Sequence, residues 1–389
     1  MICTGQRLSP FTKFTTMSKK VMLLTLQTFS STGGIQKMSR TLAYSLNQLA
    51  QEKQWEFKMF SAYDSDDDLM PQYLPADSFR GFKIKRILFV LNTIREAKNT
   101  DVLILSHINL SVVGLLVKMI NPNCKIWLIA HGIEVWRGLS STQKKMVNKS
   151  DKVICVSNFT KQQMIKLHEV DSNKCFVLNN VIDPFMILPQ KFEKPANLME
   201  KYNLQTDDPV IYTLTRLAST EQYKGYERVI RAMVSLKDRF PKLKYILSGQ
   251  YDKDEEYRIN HLIDENGLAG SVILTGFIEE KNLSDHFLLA DLFVLPSKKE
   301  GFGIVFIEAM ACGLPVICGN ADGSIDAIRN GELGQAIDPE SQEELETAIY
   351  EKLESAPPTI GQRIGLQELC LQYFNELCYR NNLLQLFLA

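Results

Sequence analysis

Residues 300–319 read EGFGIVFIEAMACGLPVICG and hold the densest chemistry in the chain. Glycines at 301 and 303 let the backbone turn sharply and come close to a ligand. The apolar run after them has helix length and stops near Gly313, with Pro315 just beyond. Amides at the start of such a helix point outward at its positive end, which suits a diphosphate. Glu300 falls on the loop and Glu308 about a turn and a half into the helix, so both can face one cleft. One carboxylate accepts two hydroxyls at once, as a ribose diol or a sugar ring would offer. A dinucleotide fingerprint would need glycine where Phe306 stands, so that reading is weak. The run DSDDD at 64–68 contains Asp-x-Asp, a pattern that elsewhere holds a metal. Here it lies in a polar stretch ahead of Met70 and Pro71 and reads as a solvated loop. No metal is expected.

The elements that must position these residues are legible. Short apolar runs begin with VMLLTL (21–26), DVLIL (101–105), KIWLIA (125–130) and KVICVS (152–157). They resume with PVIYTL (209–214), LKYILS (243–248), SVILTG (271–276), DLFVLP (291–296) and LPVICG (314–319). Runs of this length, alternating with helix-length amphipathic segments, predict parallel sheets covered on both faces. Ile35, Met38, Leu42, Leu46 and Leu49 step by three or four and predict a helix. The fold class is α/β. Pro184, Pro189 and Pro195 interrupt residues 183–206, where no strand pattern appears, and place a boundary between two doubly wound, Rossmann-like domains. Ligands of such folds sit beyond the carboxyl ends of the strands, so the expected site is the cleft between the domains. The division is a basic tail at 1–20, a first domain at 21–185, a linker and second domain at 186–365, and a last helix at 366–389.

The 389 residues are 45% apolar and 23% charged, ordinary globular values that exclude disorder and coiled coil. No apolar run is long enough to span a bilayer. The net charge of −1 hides an asymmetry: residues 1–185 carry +10 and residues 186–389 carry −11. Lys83, Lys85 and Arg86 interleave with Ile84, Ile87, Leu88 and Phe89, a pattern that fits an anionic membrane surface. Zinc spacing, an RNA-binding aromatic signature and an extended basic arm are all missing from the sequence, so nucleic acid is not expected as a partner. Eight scattered cysteines, with no Cys-x-x-Cys pair, fit a reducing cytoplasmic compartment; Cys155 and Cys318 sit in apolar runs as core residues. The first 20 residues lack the apolar stretch of a secretory signal, and Met17 is an alternative start.

The 300–319 segment resembles the donor-binding motif of glycosyltransferase family 4, retaining enzymes of GT-B fold that use nucleotide sugars. The resemblance runs over roughly residues 20–385. It implies that Glu308 holds the ribose, that Glu300 contacts the donor sugar, and that Gly301, Phe302, Gly303, Ile304 and Val305 approach sugar and diphosphate. In LTRLASTEQYKGYERVIRAM (214–233), Arg216 and Lys224 match the family's diphosphate-binding pair, although Thr215 replaces the usual glycine and the loop to Lys224 is long. A guanidinium fork and an ammonium would neutralise the departing diphosphate. Gly33 and Gly34, which open a helix after strand 21–26, match the loop that approaches donor phosphate and acceptor. In HGIEVW (131–136), His131 is implied to reach the donor sugar and Glu134 to lie near the acceptor. VSNFT (156–160) matches a strand-to-helix turn, with Ser157 or Asn158 as cap. ADGSIDAI (321–328) resembles a glycine-rich loop, with Asp326 where Glu is usual. LQYFNELC (371–378) resembles the terminal helix that crosses back to the first domain.

The resemblance implies a glycosyltransferase that takes a nucleotide-diphosphate sugar and a glycan or lipid-linked acceptor, with no cofactor, in cell-surface polysaccharide synthesis, cytoplasmic or peripheral on the cytoplasmic membrane face. A nucleotide-sugar epimerase of similar shape and a non-catalytic nucleotide-sugar-binding protein remain alternatives. Sugar, base, acceptor, linkage and oligomeric state have no signal in the sequence.

Overall fold

The computed structural model describes residues 18–389; Met17, Cys3 and most of the basic tail lie outside the described residues. Two fully parallel sheets organise the chain. The first contains β1 (Lys20–Thr25), β2 (Glu56–Ser61), β3 (Phe79–Gly81), β4 (Val102–Leu105), β5 (Lys125–Ala130), β6 (Lys152–Cys155) and β7 (Cys175–Val177). The second contains β8 (Val210–Leu214), β9 (Lys244–Ser248), β10 (Val272–Gly276), β11 (Leu292–Leu295), β12 (Val316–Gly319) and β13 (Gln335–Ile337). Their orders are β3-β2-β1-β4-β5-β6-β7 and β10-β9-β8-β11-β12-β13. Strand order therefore reverses between β1 and β4 and between β8 and β11, and each reversal opens a crevice at the carboxyl ends.

All nine apolar runs became strands because both of their faces are covered. Along β1, Val21 and Leu23 join one apolar cluster while Met22 and Leu24 join another on the opposite face. The helix Gly34–Lys53 lays Met38, Leu42, Leu46 and Leu49 on the first of these faces. That cluster continues through Val181 and Ile182 to Phe293 of the second sheet and Phe306 on the helix Ile304–Ala311, so one apolar core bridges both domains. Cys155 and Cys318 are fully buried within it and its neighbour, and the seven described cysteines are free thiols.

Two expectations change. The last segment is two helices, not one. Ile360–Tyr373 packs on the second-domain helix Ile304–Ala311, with Gln367 Nε2 donating to the Ala311 carbonyl at 2.7 Å. Phe374 then leaves helical geometry (φ −115°), and Asn375 caps a new helix, Glu376–Leu388, by accepting from the Cys378 amide at 2.8 Å. This last helix lies on the first domain, where Ser45 donates to Glu376 and Phe387 packs between Trp55 and Trp127. The chain crosses between the sheets twice at one place, since the Ile182 amide donates to the Phe374 carbonyl at 2.9 Å.

The aspartate run is not a solvated loop throughout. Asp64 is completely buried and accepts from the amides of Thr28 and Ser30 and from the hydroxyls of Ser30 and Ser61, at 2.5–2.9 Å. A buried carboxylate persists only when its lone pairs are satisfied in this way. Asp68 closes a capping box with Ser65, and Asp66 accepts from the Gly81 amide. The cluster thus braces the loop that leads from β1 to Gly33. Among the described residues, no group of three or more His, Cys, Asp or Glu side chains is placed to hold a metal. No helix among them is long and apolar enough to cross a membrane.

Candidate active site

The two crevices face one another across a cleft of about 650 Å³. From the first domain, Gly33 and Gly34 reach it after β1, and His131 and Glu134 after β5. From the second, Arg216 follows β8, Lys224 sits two residues before the helix Tyr226–Arg239, and Glu300 to Val305 with Glu308 follow β11. Every site residue read from the sequence therefore lines one cavity.

The geometry refines what each can do. Glu300 Oε1 lies 2.6 Å from Lys224 Nζ, both largely buried. Glu308 is buried, and its Oε1 lies 2.5 Å from Nζ of Lys37 on the first-domain helix. Neither glutamate is a solvated surface charge. Removing one member of so buried a pair strands the other, at a cost of about 3–5 kcal/mol. Arg216 differs: its side chain is 69% exposed and its guanidinium is turned to Glu221. Of the two cations, only Lys224 is largely buried.

Gly303 adopts φ 82°, open to glycine at little cost, and starts the helix Ile304–Ala311. A side chain there would strike the Phe306 ring. Phe302 contributes only backbone to the cleft, because its ring is buried edge-on against Phe374 at 5.7 Å. Ile304 lies in van der Waals reach of Gly34, which shows how closely the two helix starts approach. Closer still is Gly301, where a β-carbon would sit 1.7 Å from the His131 carbonyl oxygen.

His131 holds its ring with Nε2 at 2.9 Å from the Ser106 carbonyl. A carbonyl only accepts, so Nε2 carries the proton. Burial pushes its pKa down to about 4, which keeps the imidazole neutral at pH 7. The His131 amide donates to Glu134 Oε1 at 2.5 Å, so Glu134 braces the turn as well as lining the cleft. Burial raises the Glu134 carboxyl above the ordinary range.

Lys37, Arg40, Glu280 and Tyr223 had no signal in the sequence. Lys37 gains its place only because the second domain brings Glu308 to it. Arg40, buried on the same helix, reaches across to Glu280 at 2.5 Å, and Glu280 also accepts from Thr32 at 2.9 Å. Ser157 caps its helix by accepting from the Thr160 amide, while Asn158 instead donates twice to Asp326 of the second domain, at 3.1 and 2.6 Å. The Tyr223 ring lies between Lys224 and Lys299, 5.6 and 5.5 Å from their ammonium groups.

Residues 38–184 match the model described as Glycosyltransferase Family 4, and residues 196–359 the model described as Glycosyl transferases group 1. A GDP-mannose-dependent alpha-(1-6)-phosphatidylinositol monomannoside mannosyltransferase of Mycolicibacterium smegmatis is 28% identical over 247 residues, 61% of this chain and 62% of the relative. An alpha-D-kanosaminyltransferase of Streptomyces kanamyceticus is 29% identical over 170 residues, 44% of this chain and 42% of that one. The match thus spans less than two thirds of either relative. Among solved structures, Anabaena HepE in complex with UDP superposes with a TM-score of 0.75 at 20% identity, covering 95% of this chain and 99% of the other. A sucrose-phosphate synthase from Thermosynechococcus elongatus gives 0.74 at 20% identity, covering 95% and 98%. Two parallel sheets facing across a cleft, matched over nearly their whole length, are the GT-B fold. With one family model on each domain, the chain belongs to glycosyltransferase family 4.

Proposed function

We propose that the protein is a retaining glycosyltransferase that moves a sugar from a nucleotide-diphosphate sugar to a hydroxyl of a glycan or lipid-linked acceptor. The observation that carries this reading is the convergence of Lys224, Arg216, Glu300 and Glu308 on one wall of the interdomain cleft, at the strand-order reversal of the second sheet. Glu308 takes the ribose hydroxyls, Glu300 and His131 the donor sugar, and Arg216 and Lys224 the diphosphate, with the amides after Gly303 aimed the same way. Glu134 and the first-domain wall face the acceptor. In the transfer, the bond from the anomeric carbon to phosphate breaks and that to the acceptor oxygen forms on the same face. The departing diphosphate takes the acceptor's proton. The protein supplies position and positive charge.

A panel of UDP- and GDP-sugars, read by calorimetry and by slow donor hydrolysis, tests the reading. Consumption of one donor with retention at the anomeric carbon supports it. Release of an epimerised sugar would favour an epimerase, and binding without consumption a nucleotide-sugar-binding protein. Transfer needs no cofactor in this scheme, because Lys224, Arg216 and helix amides supply the charge that a divalent ion gives elsewhere. Activity should therefore survive EDTA. Complete loss, restored by magnesium or manganese, would overturn that part of the proposal.

The protein acts at the cytoplasmic face of a membrane in this reading, within cell-surface polysaccharide synthesis. The helix Arg86–Ala97 buries Phe89, Thr93 and Ala97, yet Ile84, Ile87, Leu88 and Leu91 are 64%, 76%, 48% and 57% exposed. Ile87, Leu88 and Leu91 lie on one face of that helix, and Ile84 stands in the turn just before it with Lys83, Lys85 and Arg86 close by in sequence. Each well-placed basic residue adds about 1 kcal/mol of attraction to an anionic surface, and the apolar stripe adds insertion. Co-sedimentation should therefore require phosphatidylglycerol in the vesicles, fall with salt, and weaken in both a Lys83→Gln/Lys85→Gln/Arg86→Gln variant and an Ile87→Ser/Leu91→Ser variant. Equal recovery with phosphatidylcholine alone would point to a soluble acceptor instead.

A further inference from the structure

The loop that carries Glu300 is gripped from two sides. On one side lies the first-domain turn at His131 and Gly132, in backbone contact with Gly301. On the other lies the turn Asp322–Ser324, after β12. Asp322 is buried; its Oδ2 accepts from the Glu300 amide at 2.6 Å and its Oδ1 from the Ser324 amide at 2.9 Å. The Gly323 amide donates to the Glu300 carbonyl at 2.8 Å, so both backbone groups of Glu300 are held by this one turn. Space between the turns is minimal, because a β-carbon at Gly323 would lie 2.1 Å from the Gly301 carbonyl oxygen. Four residues on, Asp326 accepts twice from Asn158 of the first domain. The segment 322–326 therefore touches Glu300 at one end and the opposite domain at the other.

We propose that Asp322 is a positioning residue for transfer: it fixes the backbone of Glu300, and through the Glu300–Lys224 pair the donor-facing ammonium, while Asp326 ties the same segment to the first domain. The inference rests on the functional reading above and extends it to a residue with no contact to donor or acceptor. An aspartate is needed because two backbone amides converge on it. Asparagine offers one oxygen and would turn an N–H donor toward the other amide. The titratable groups facing Asp322 are Glu300, whose side chain pairs with Lys224, and Cys318 on β12. Burial, reinforced by the negative Glu300, raises its carboxyl to about 7. As pH falls through that value the carboxylate takes a proton, one oxygen becomes a hydroxyl donor, and the grip on one amide is lost. Transfer should therefore fall on the acid side. Stability runs the other way: the folded pKa lies above the unfolded value of 3.8, so between those two values folding stability declines as pH rises.

The test is Asp322→Asn, which preserves shape. Its kcat should drop about 10–100-fold, the scale expected for a misplaced catalytic group, with KM for the donor within about threefold, its acid limb flattened, and its melting temperature at pH 8 equal or higher. Amide exchange of the peptide spanning residues 299–303, followed by mass spectrometry, should accelerate. A purely structural role would instead lower the melting temperature and leave kcat and the pH profile alone. The exchange measurement needs no donor, so it separates the two failures. Wild-type protein that consumes none of the panel's sugars would sink the functional reading. Unchanged exchange, or unchanged kcat in an active enzyme, would sink the role of Asp322.

Discussion

Lys224→Ala should lower kcat by about 100-fold or more in an enzyme that still folds and still binds the nucleotide. The ammonium group sits largely buried at the end of Glu300, and Lys224 lines the cleft. Its charge matters most as negative charge grows on the departing diphosphate, and an interaction confined to the transition state lowers kcat more than binding. Arg216→Ala should act in the same direction. Its guanidinium is mostly exposed and paired with Glu221, so part of its loss should fall on KM. Glu308→Ala should behave differently, weakening nucleotide binding and releasing Lys37 from its partner. Steady-state kinetics with the competent donor, paired with calorimetry on the nucleotide alone, separate these outcomes. Near-native kcat in all three variants would mean that the cleft does other work.

The second large effect is steric. Gly301→Ala would place a methyl group 1.7 Å from the His131 carbonyl oxygen and 3.3 Å from the Gly132 α-carbon. The opposing atoms are backbone, which has no rotamer with which to yield. Each domain can keep its own fold, since the clash arises only where the two meet. The expected result is a protein that melts close to wild type and binds nucleotide within several-fold, yet transfers about 100-fold more slowly because the walls cannot close to working distance. A larger radius of gyration by solution scattering would accompany it. Full activity in this variant would show that the Gly301–Gly132 approach is not part of the working geometry.

Nine strands were legible because each is a continuous apolar run covered on both faces. The four that were not show why the signal fails. In β2, EFKMFS begins with alternating charged and apolar positions, the signal of a half-buried strand, which a search for continuous apolar runs passes over. β3, β7 and β13 are three residues each and lie at the sheet edges, where little burial is asked of the sequence. On the second-domain wall, Glu300 and Glu308 could be read because they are close in sequence and bracket one turn, whereas Arg216 and Lys224 come from a separate segment and were read from the family resemblance. Lys37, Glu280 and Asp322 could not, since each acquires its role from a neighbour far along the chain. Asp64 looked like solvent-facing charge for the same reason: the amides it accepts from belong to Thr28 and Ser30. The terminal helix was read as one piece although Asn375, which starts its second part, is a local cap that accepts from the Cys378 amide.

That crossing bears on the order in which the molecule can be made. The first domain consists of two stretches of chain, one ending near Ile182 and the other being the last helix, Glu376–Leu388. Trp55 and Trp127 are covered by Phe387, and Lys152 donates to the Leu386 carbonyl at 2.7 Å. On the ribosome these surfaces stay bare while the whole second domain is synthesised. The half that begins first is therefore completed only after the second domain has been made, when residues 376–388 have emerged from the exit tunnel.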